Sequence, residues 1–219
     1  MQISKDKYNV SVIMTIYNRK KLISRALNSL LKQTYKDFEV IIIDDGSTDG
    51  VENILIPFAK KFGFIKYLRH SNRHTALSLN TGLHLAEGKY ITFLDSDDEY
   101  KPSHLKLRID FMRRNPDVDL LHSPAELIGS EKDMWVTDAN NKNKLIHLKD
   151  CVIGATIFGK QKIFTELNGF RNTFSYDSDF INRAVKKYNV KRFEYTTYVY
   201  YRDTHDSVLT MMKNNKTIK

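Results

Sequence analysis

The sequence predicts an α/β fold in which a mostly parallel central sheet is flanked by helices. Three short apolar runs, at residues 10–16, 38–43 and 90–94, are rich in β-branched and aromatic residues and indicate buried strands. Helical patterns separate these runs, which implies right-handed crossovers between parallel strands. Polar residues follow all three runs, and the carboxyl ends of parallel strands meet at one edge of a sheet, where ligands bind.

The composition is that of one globular domain. The chain has 219 residues, of which 41% are hydrophobic, enough for an α/β domain with a sizeable core. It contains no internal repeat or linker, and its apolar runs are shorter than the ~20 residues of a membrane span. No apolar leader opens the chain, and Cys151 is the only cysteine. We therefore expect a cytoplasmic protein without a disulfide or a thiolate metal site.

The formal net charge of +9 leaves three classes of partner open. They are nucleic acid, an anionic membrane surface and a polyanionic small substrate. The basic residues are spread along the chain in small pairs, such as Lys60-Lys61 and Arg113-Arg114. Charge alone does not decide among the three classes, but the chain has no nucleic-acid motif, so we expect no nucleic acid as a partner.

Helical stripes separate the strands of the first half. Pro57 lies inside one of these stripes and should kink or split that helix. Gly88 follows another stripe and is expected to cap its C-terminus. The predicted elements are a helix over residues 22–31, a helix over 51–62, a strand over 65–68 and a helix over 76–86.

The second half has a less regular pattern. Pro102 should open a helix at the favoured first-turn position, and Asn115 and Pro116 should end it. Residues 126–148 are polar and irregular, and they form either a flexible loop over the site or a hairpin that joins two halves of the sheet. The other predicted elements are a strand over 118–121, a regular segment over 153–158, helices over 160–167 and from Asp177, and an aromatic strand over 193–201.

The acidic turn at residues 95–98 carries the strongest chemical signal. Asp95, Asp97 and Asp98 directly follow a buried strand. Like charges packed this closely repel each other, so a fold tolerates them when a cation neutralises them or when they are open to solvent. Carboxylate oxygens at this spacing suit Mg²⁺ or Mn²⁺, which usually help to bind a phosphate-bearing substrate. The alternative is a solvated acidic turn, and a short motif alone does not choose between the two.

Two other predicted strands also end in polar residues. Residues 44–50 form a second acidic turn, and Tyr17, Asn18 and Arg19 follow the first strand. Because one parallel sheet delivers all three strand ends to the same edge, we predict that these groups form a single site.

These motifs resemble those of the family 2 inverting glycosyltransferases of the GT-A fold. The resemblance spans about residues 9–207 and keeps the family's order of motifs. It implies one GT-A (Rossmann-like) domain over residues 1–219, with a nucleotide-sugar-binding half at about 9–110 and an acceptor or catalytic half at about 117–207. The residues that carry it are 10–19, 43–49, 80–83, 86–88, 95–98, 169–170 and 176–183.

The resemblance implies transfer of a sugar from a nucleotide diphosphate of the UDP type to an acceptor hydroxyl, with inversion at the anomeric carbon. The acceptor would be a saccharide or lipid-linked, in polysaccharide or glycoconjugate synthesis, and peripheral association with a membrane surface stays open. One alternative is a nucleotidyltransferase, which usually needs a glycine-rich loop after the first strand, whereas residues 17–20 contain no glycine. Another is a sugar-nucleotide-binding domain without activity.

The resemblance also implies the donor contacts. Thr15 and Asp45 would contact the nucleobase, with Asp45 accepting its imide N–H, and Asp97 would lie near the ribose. The neighbouring Asp44 is better explained as a turn-former that pairs with Ser47. The other implied substrate-binding residues are Tyr17, Asn18 and, near the diphosphate, either His74 or Arg73.

Three residues are implied as metal ligands. Asp98 matches the main ligand of Mn²⁺ or Mg²⁺, and Asp95 would bind the ion through water. His205 lies near a tyrosine-arginine pair and a serine, one place later than the family's usual spacing. It is the third implied ligand.

Asp177 is the implied catalytic base. It stands where the family has the aspartate of a Glu-Asp pair at a helix start, although Tyr176 replaces the glutamate here. The local sequence alone predicts only that Asp177 is a helix N-cap. The two roles are compatible if the helix points at the site.

Overall fold

The structure is a computed structural model, and it describes residues 7–139, 141 and 143–202. The helices are α1 (Ile23–Leu31), α2 (Glu52–Lys61), α3 (Thr75–Leu85), α4 (His104–Arg114), α5 (Gln161–Glu166) and α6 (Tyr176–Ala184). The strands are β1 (Tyr8–Ile16), β2 (Phe38–Asp44), β3 (Ile65–Arg69), β4 (Gly88–Phe93), β5 (Glu99–Tyr100), β6 (Leu120–His122), β7 (Ala125–Ile128), β8 (Trp135–Thr137), β9 (Leu145–His147), β10 (Phe158–Lys160), β11 (Val190–Arg192) and β12 (Tyr198–Tyr201). Within the described residues, no helix combines the length and the apolar character needed to cross a membrane.

A central sheet organises the described part of the chain. It has seven strands in the order β11-β6-β10-β4-β1-β2-β3. Neighbouring strands are parallel except at β10, which is antiparallel to both β4 and β6. This mostly parallel sheet with flanking helices confirms the predicted fold class. Because β10 reverses direction between them, β6 and β4 run the same way, and their carboxyl ends lie at the same edge.

The sheet is covered on both faces, which explains the continuous apolar runs in the sequence. Every residue of β2 is buried. Val40 and Ile42 pack into one core cluster with α1 and α4, whereas Ile41 and Ile43 pack into a second cluster with α3, α5 and α6. Alternate residues of one strand thus serve opposite faces of the sheet, and the polar residues are left to the strand ends.

Two smaller sheets extend the second half. Strand β12 pairs with β5 in antiparallel and with β7 in parallel orientation, so it lies beside the acidic turn that precedes β5. Strands β8 and β9 pair with each other as a hairpin within residues 126–148. This hairpin forms a separate two-stranded sheet rather than joining two halves of the central sheet.

The structure corrects four local predictions. Helix α2 is not split at Pro57 but continues from Glu52 to Lys61, so the lost backbone hydrogen bond does not end it. Gly88 opens β4 instead of capping α3, and a Cβ there would lie 2.5 Å from the Ser11 backbone nitrogen, so the close approach to β1 requires glycine. Helix α4 begins at His104, after Pro102 has formed a turn. The predicted aromatic strand over 193–201 is regular only in β12.

Candidate active site

The carboxyl edge of the sheet brings the predicted motifs together. Strand β1 leads into Tyr17 and Asn18, β2 ends at Asp44, and β4 leads into the 95–98 turn. The Asp45 N–H donates to the Ile16 carbonyl at 2.8 Å, which fixes the second motif beside the first.

Asn18 connects the ends of β1 and β2. It has a positive φ of 53°, a conformation that asparagine tolerates better than most residues. Its side-chain oxygen accepts the Thr48 N–H at 2.7 Å, and its own N–H donates to the Ser47 hydroxyl at 3.0 Å. Tyr17 is 46% exposed beside it, and Thr15 is half-buried at the end of β1. Asn18 therefore fixes the backbone where β1 and β2 end, and the Tyr17 side chain is accessible to a ligand.

The two aspartates after β2 have different surroundings. Asp44 is buried and accepts the Ser47 N–H at 2.8 Å and the Tyr67 hydroxyl at 2.7 Å, so its predicted role as a turn-former is confirmed. Asp45 accepts the Arg73 N–H at 2.7 Å, and the Nδ1 atom of His70 lies 3.4 Å from the same oxygen. Asp45 thus joins the end of β2 to the segment that precedes α3.

His74 precedes the first residue of α3, where its carbonyl accepts the Ser78 N–H at 3.1 Å. Its φ of 70° is unusual for a residue with a side chain, and such strain clusters at ligand sites. The His74 side chain is exposed. Both His74 and Arg73 therefore remain candidates for contact with a diphosphate.

The acidic turn contains one fixed carboxylate and two that are more open. Asp98 is 0% exposed, and its two oxygens accept the Tyr198 hydroxyl at 2.6 Å and the Tyr201 N–H at 2.8 Å. Asp95 and Asp97 are half-buried, and the Nε atom of Arg19 lies 4.0 Å from Asp97 Oδ2. Asp98 therefore holds β12 against the turn, while Asp95 and Asp97 keep part of their surface accessible.

The electrostatics of this turn fit a divalent cation. Burial, with the charges of Asp97 and Asp177, raises the pKa of Asp95 to about 7. Burial, with the neighbouring carboxylates, also raises the pKa of Asp98 well above its usual range. Across residues 7–139, 141 and 143–202, however, no three His, Cys, Asp or Glu side chains are grouped to hold a metal ion. The turn therefore suits a cation such as Mg²⁺, which takes one or two carboxylates and completes its shell with substrate phosphates and water. His205 lies outside the described residues.

Asp177 lies in the first turn of α6, one residue after the helix begins. The N-cap residue is Ser175, with a φ of 54°, so the predicted N-cap position of Asp177 is wrong by two residues. Asp177 accepts the Ser178 N–H at 2.8 Å, the Ser175 hydroxyl at 3.1 Å and the Gly154 N–H at 3.2 Å. Burial raises its pKa, and these hydrogen bonds oppose the rise. The result is a fixed, poorly hydrated carboxylate whose charge influences Asp95.

Replacing Gly154 with alanine should disturb Asp177 directly. A Cβ at this position would lie 2.7 Å from the Asp177 Cβ. We expect a loss of about 1–3 kcal/mol in the free energy of unfolding and a matching displacement of the carboxylate. Urea unfolding and the transfer rate measure the two effects. Gly63→Ala is the control, because nothing lies within 4 Å of a Cβ there, and an equal response of both variants would contradict the packing argument.

Several residues of the site carry no local sequence signal. Tyr198 reaches Asp98 and also accepts the Asp95 N–H at 3.3 Å. Gly154 supports Asp177 from the segment before β10. Tyr198 and Gly154 belong to the site through Asp98 and Asp177, which are 100 and 23 residues away in the sequence. The only sequence signal was the aromatic run around Tyr198, which predicted a strand there.

Comparison with known sequences identifies the family. A family model described as "Glycosyl transferase family 2" matches residues 11–206. The chain belongs to glycosyl transferase family 2. The predicted family is thus confirmed.

Two relatives show how far the family likeness extends. A protein of Escherichia coli described as UDP-Glc:alpha-D-GlcNAc-diphosphoundecaprenol beta-1,3-glucosyltransferase WfgD is 34% identical over 179 residues, which are 80% of this chain and 68% of WfgD. An uncharacterized glycosyltransferase of Rickettsia bellii is 43% identical over 114 residues, which are 52% of this chain and 16% of that protein. The chain thus matches about one sixth of the Rickettsia protein's length.

Solved structures share the fold. S. aureus TarS 1–349 in complex with UDP-GlcNAc superposes with a TM-score of 0.73 at 23% identity, over 93% of this chain and 60% of TarS. The mannosyltransferase PcManGT from Pyrobaculum calidifontis, in complex with GDP-Man and Mn²⁺, gives a TM-score of 0.69 at 21% identity, over 88% of this chain and 56% of that one. These glycosyltransferases have the GT-A fold, and so does the present chain.

Proposed function

We propose that this family 2 glycosyltransferase transfers a sugar from a UDP-type donor to a hydroxyl of a saccharide or lipid-linked acceptor, with inversion. The observation that carries the proposal is the meeting of Asp45, the 95–98 turn and Asp177 at one edge of the sheet, with Asp177 close enough to raise the pKa of Asp95. The names of WfgD and of the TarS complex support a UDP-linked donor. The same two proteins make a nucleotidyltransferase the weaker alternative.

The donor would lie across the ends of β1, β2 and β4. Thr15 and Asp45 would contact the base. Asp97 and Arg19, whose Oδ2 and Nε atoms are 4.0 Å apart, would lie beside the ribose and phosphates. The other proposed contacts are Tyr17, Asn18 and either His74 or Arg73. In this arrangement about residues 9–110 bind the donor, and about 117–207 bind the acceptor.

Asp95 and Asp97 would hold the divalent cation, Mn²⁺ or Mg²⁺, together with the donor phosphates. When bound, such an ion stabilises the charge that builds on the departing diphosphate, as a Lewis acid. Asp98, which the resemblance implies as the main ligand, is the weaker candidate here, because it is buried and each of its oxygens already accepts a hydrogen bond. We propose instead that Asp98 keeps the turn and β12 in register.

Asp177 would remove the proton from the acceptor hydroxyl as that oxygen attacks the anomeric carbon. Three hydrogen-bond donors keep its carboxylate oriented, and a raised pKa makes it a stronger base than a surface aspartate. One base and one displacement suffice for inversion, so no covalent glycosyl-enzyme forms. The transition state should resemble the oxocarbenium ion of glycoside hydrolysis.

The pH dependence of transfer should reflect this base. Asp177 acts only when deprotonated, so kcat/KM should fall as pH drops through its pKa. Because burial raises that pKa, the acidic limb should lie above the value of about 3.9 that is usual for aspartate. A pH profile of kcat/KM under saturating metal measures the limb, and a limb at or below that usual value would contradict the assignment.

Replacing Asp45 with asparagine should weaken UDP binding by about tenfold or more, because the single amide oxygen would stay with the Arg73 N–H and the NH₂ group would then meet the imide N–H donor to donor. Isothermal titration with UDP and Mn²⁺ measures the change. Asp49→Asn is the matched control, since Asp49 lies in the same turn and its bonds go to the Lys20 and Val51 N–H groups. Equal affinity of the Asp45 variant and wild type would remove Asp45 from the base contact.

A turnover assay separates the three candidate functions. The chain is incubated with a panel of sugar nucleotides, with Mn²⁺ or with EDTA, and release of the nucleoside diphosphate is followed. We expect slow metal-dependent release from one or more UDP-sugars, and a thermal shift with the same donor. Pyrophosphate formed from UTP and a sugar 1-phosphate would support the nucleotidyltransferase, and binding without any turnover would support an inactive binding domain.

A further inference from the structure

A cavity opens at the same edge of the sheet, on the side away from the donor motifs. It has a volume of about 220 Å³ and lies at the ends of β6 and β11. This is below the roughly 300–1,000 Å³ of pockets that enclose a whole drug-sized ligand, so the cavity suits a single small group. Its wall includes His122, Ser123, Leu148, Lys149, Cys151 and Arg192.

The wall of this cavity carries basic residues. His122 and Arg192 are register partners at the carboxyl ends of β6 and β11, and Lys149 is an exposed residue of the same wall. Arg192 is half-exposed and pairs with Glu194 at 3.3 Å. Burial and the charge of Arg192 lower the pKa of His122, so the positive charge of the wall at neutral pH comes from Lys149 and from Arg192, whose charge Glu194 partly balances.

A buried arginine adds to this charge from behind the wall. Arg108 is 0% exposed, and its guanidinium donates to Ser123 Oγ at 2.7 Å and to Thr197 Oγ1 at 2.7 Å. Both acceptors are neutral, and among the described residues its buried Nε has no hydrogen-bond partner. Burial lowers the pKa of Arg108 to about 10, so it stays charged at neutral pH. Because Ser123 lines the cavity, an incompletely neutralised cation lies directly behind that wall.

The cavity wall is joined to Asp177 through the chain. Cys151 lines the wall three residues before Gly154, whose N–H donates to Asp177 Oδ2 at 3.2 Å. Burial, with the charges of Asp177, Asp150 and Asp138, raises the pKa of the Cys151 thiol to about 11. Asp177 is therefore close enough to influence the Cys151 thiol in the cavity wall, which places the proposed base near the cavity.

We propose that this cavity binds a phosphate group of the acceptor through Lys149, Arg192 and Ser123 of its wall, so that the acceptor's hydroxyl faces Asp177. The apolar wall of Leu148 and its neighbours would cover the carbon skeleton next to the phosphate. This inference rests on the proposed transfer function and names the acceptor class for it: a phosphorylated saccharide or a lipid-linked sugar phosphate.

The test uses phenyl phosphate as the probe and the intact chain with its donor side filled by saturating UDP and Mn²⁺. Isothermal titration measures affinity, and alkylation of Cys151, the chain's only cysteine, reports whether the cavity is occupied. We expect phenyl phosphate to bind and to slow alkylation, and phenol to do neither. The double variant Lys149→Gln/Arg192→Gln should weaken binding by about tenfold or more, because two charged donors are lost.

Lys191→Gln is the matched control, since Lys191 is exposed on the same strand and does not line the cavity. Equal affinity of the double variant and this control, or alkylation unaffected by phenyl phosphate, would overturn the proposal. Competition distinguishes the sources: glucose 1-phosphate should displace the probe if the acceptor is a soluble sugar phosphate, and geranyl diphosphate if it is lipid-linked. If the chain binds no UDP but phenyl phosphate still slows alkylation of Cys151, the proposed donor site is wrong and the cavity proposal stands.

Discussion

Replacing Asp177 with asparagine is expected to lower the rate of sugar transfer by about 10²–10⁴-fold while UDP binding persists. An amide cannot take the proton of the acceptor hydroxyl, whereas the proposed donor contacts lie at the ends of β1, β2 and β4. The variant should also lose about 1–3 kcal/mol of unfolding free energy, because its NH₂ group would face the Gly154 N–H that now donates to Asp177 Oδ2. Transfer assays and urea unfolding on the same preparation separate the two effects.

Asp179→Asn is the control for this experiment. Asp179 is two residues further along α6 and forms ion pairs with Arg171 and Arg183, at 3.3 and 2.9 Å. We expect the control to keep most of its transfer activity. If Asp177→Asn transfers at a rate within a few-fold of wild type and Asp179→Asn does not, the base is Asp179 and the assignment of Asp177 is wrong.

Replacing Asp97 with asparagine is expected to remove most of the metal-dependent affinity for UDP, by about tenfold or more. Asp97 keeps 16% of its side chain exposed, and Arg19 Nε lies 4.0 Å away. A neutral amide there relieves repulsion within the acidic turn, so we expect no loss of stability. Titration of UDP with Mn²⁺, alongside thermal unfolding, measures both quantities.

Asp98→Asn provides the comparison that separates a ligand from a supporting residue. Its carboxylate accepts the Tyr198 hydroxyl and the Tyr201 N–H, and an amide can accept only at its oxygen. Because burial and the neighbouring carboxylates disfavour a charge at Asp98, a neutral amide that keeps the Tyr201 bond should cost no more than about 1 kcal/mol in stability, with a smaller loss of UDP affinity than for Asp97→Asn. The opposite order of affinities, with Asp98→Asn still stable, would restore Asp98 as the main ligand that the family resemblance implied.

The strand ends of the site could be predicted because both of their determinants are local. Apolar runs that are buried on both faces, such as β2, stand out in a sequence, and so do the aspartates that follow them. The crossover rule then brings those ends to one edge without further information. The family resemblance added roles for these residues, which the spacing alone did not supply.

Three features that sequence reasoning missed depend on distant partners. Gly88 looked like a helix cap, but its small size is needed because β1 lies against it. The N-cap of α6 is Ser175 rather than Asp177, because Asp177 turns toward Gly154 instead. The burial of Asp98 follows from β12, whose Tyr198 is 100 residues away. No local pattern marks such contacts.

Titration of UDP into the wild-type chain, with Mn²⁺ and then with EDTA, tests the central claim most directly. That claim is that the edge formed by β1, β2 and β4 binds a nucleoside diphosphate together with a divalent cation. We expect saturable binding with one UDP per chain in Mn²⁺, lost or weakened by about tenfold or more in EDTA. A folded chain that binds no UDP, or that binds it equally well in EDTA, would contradict the account.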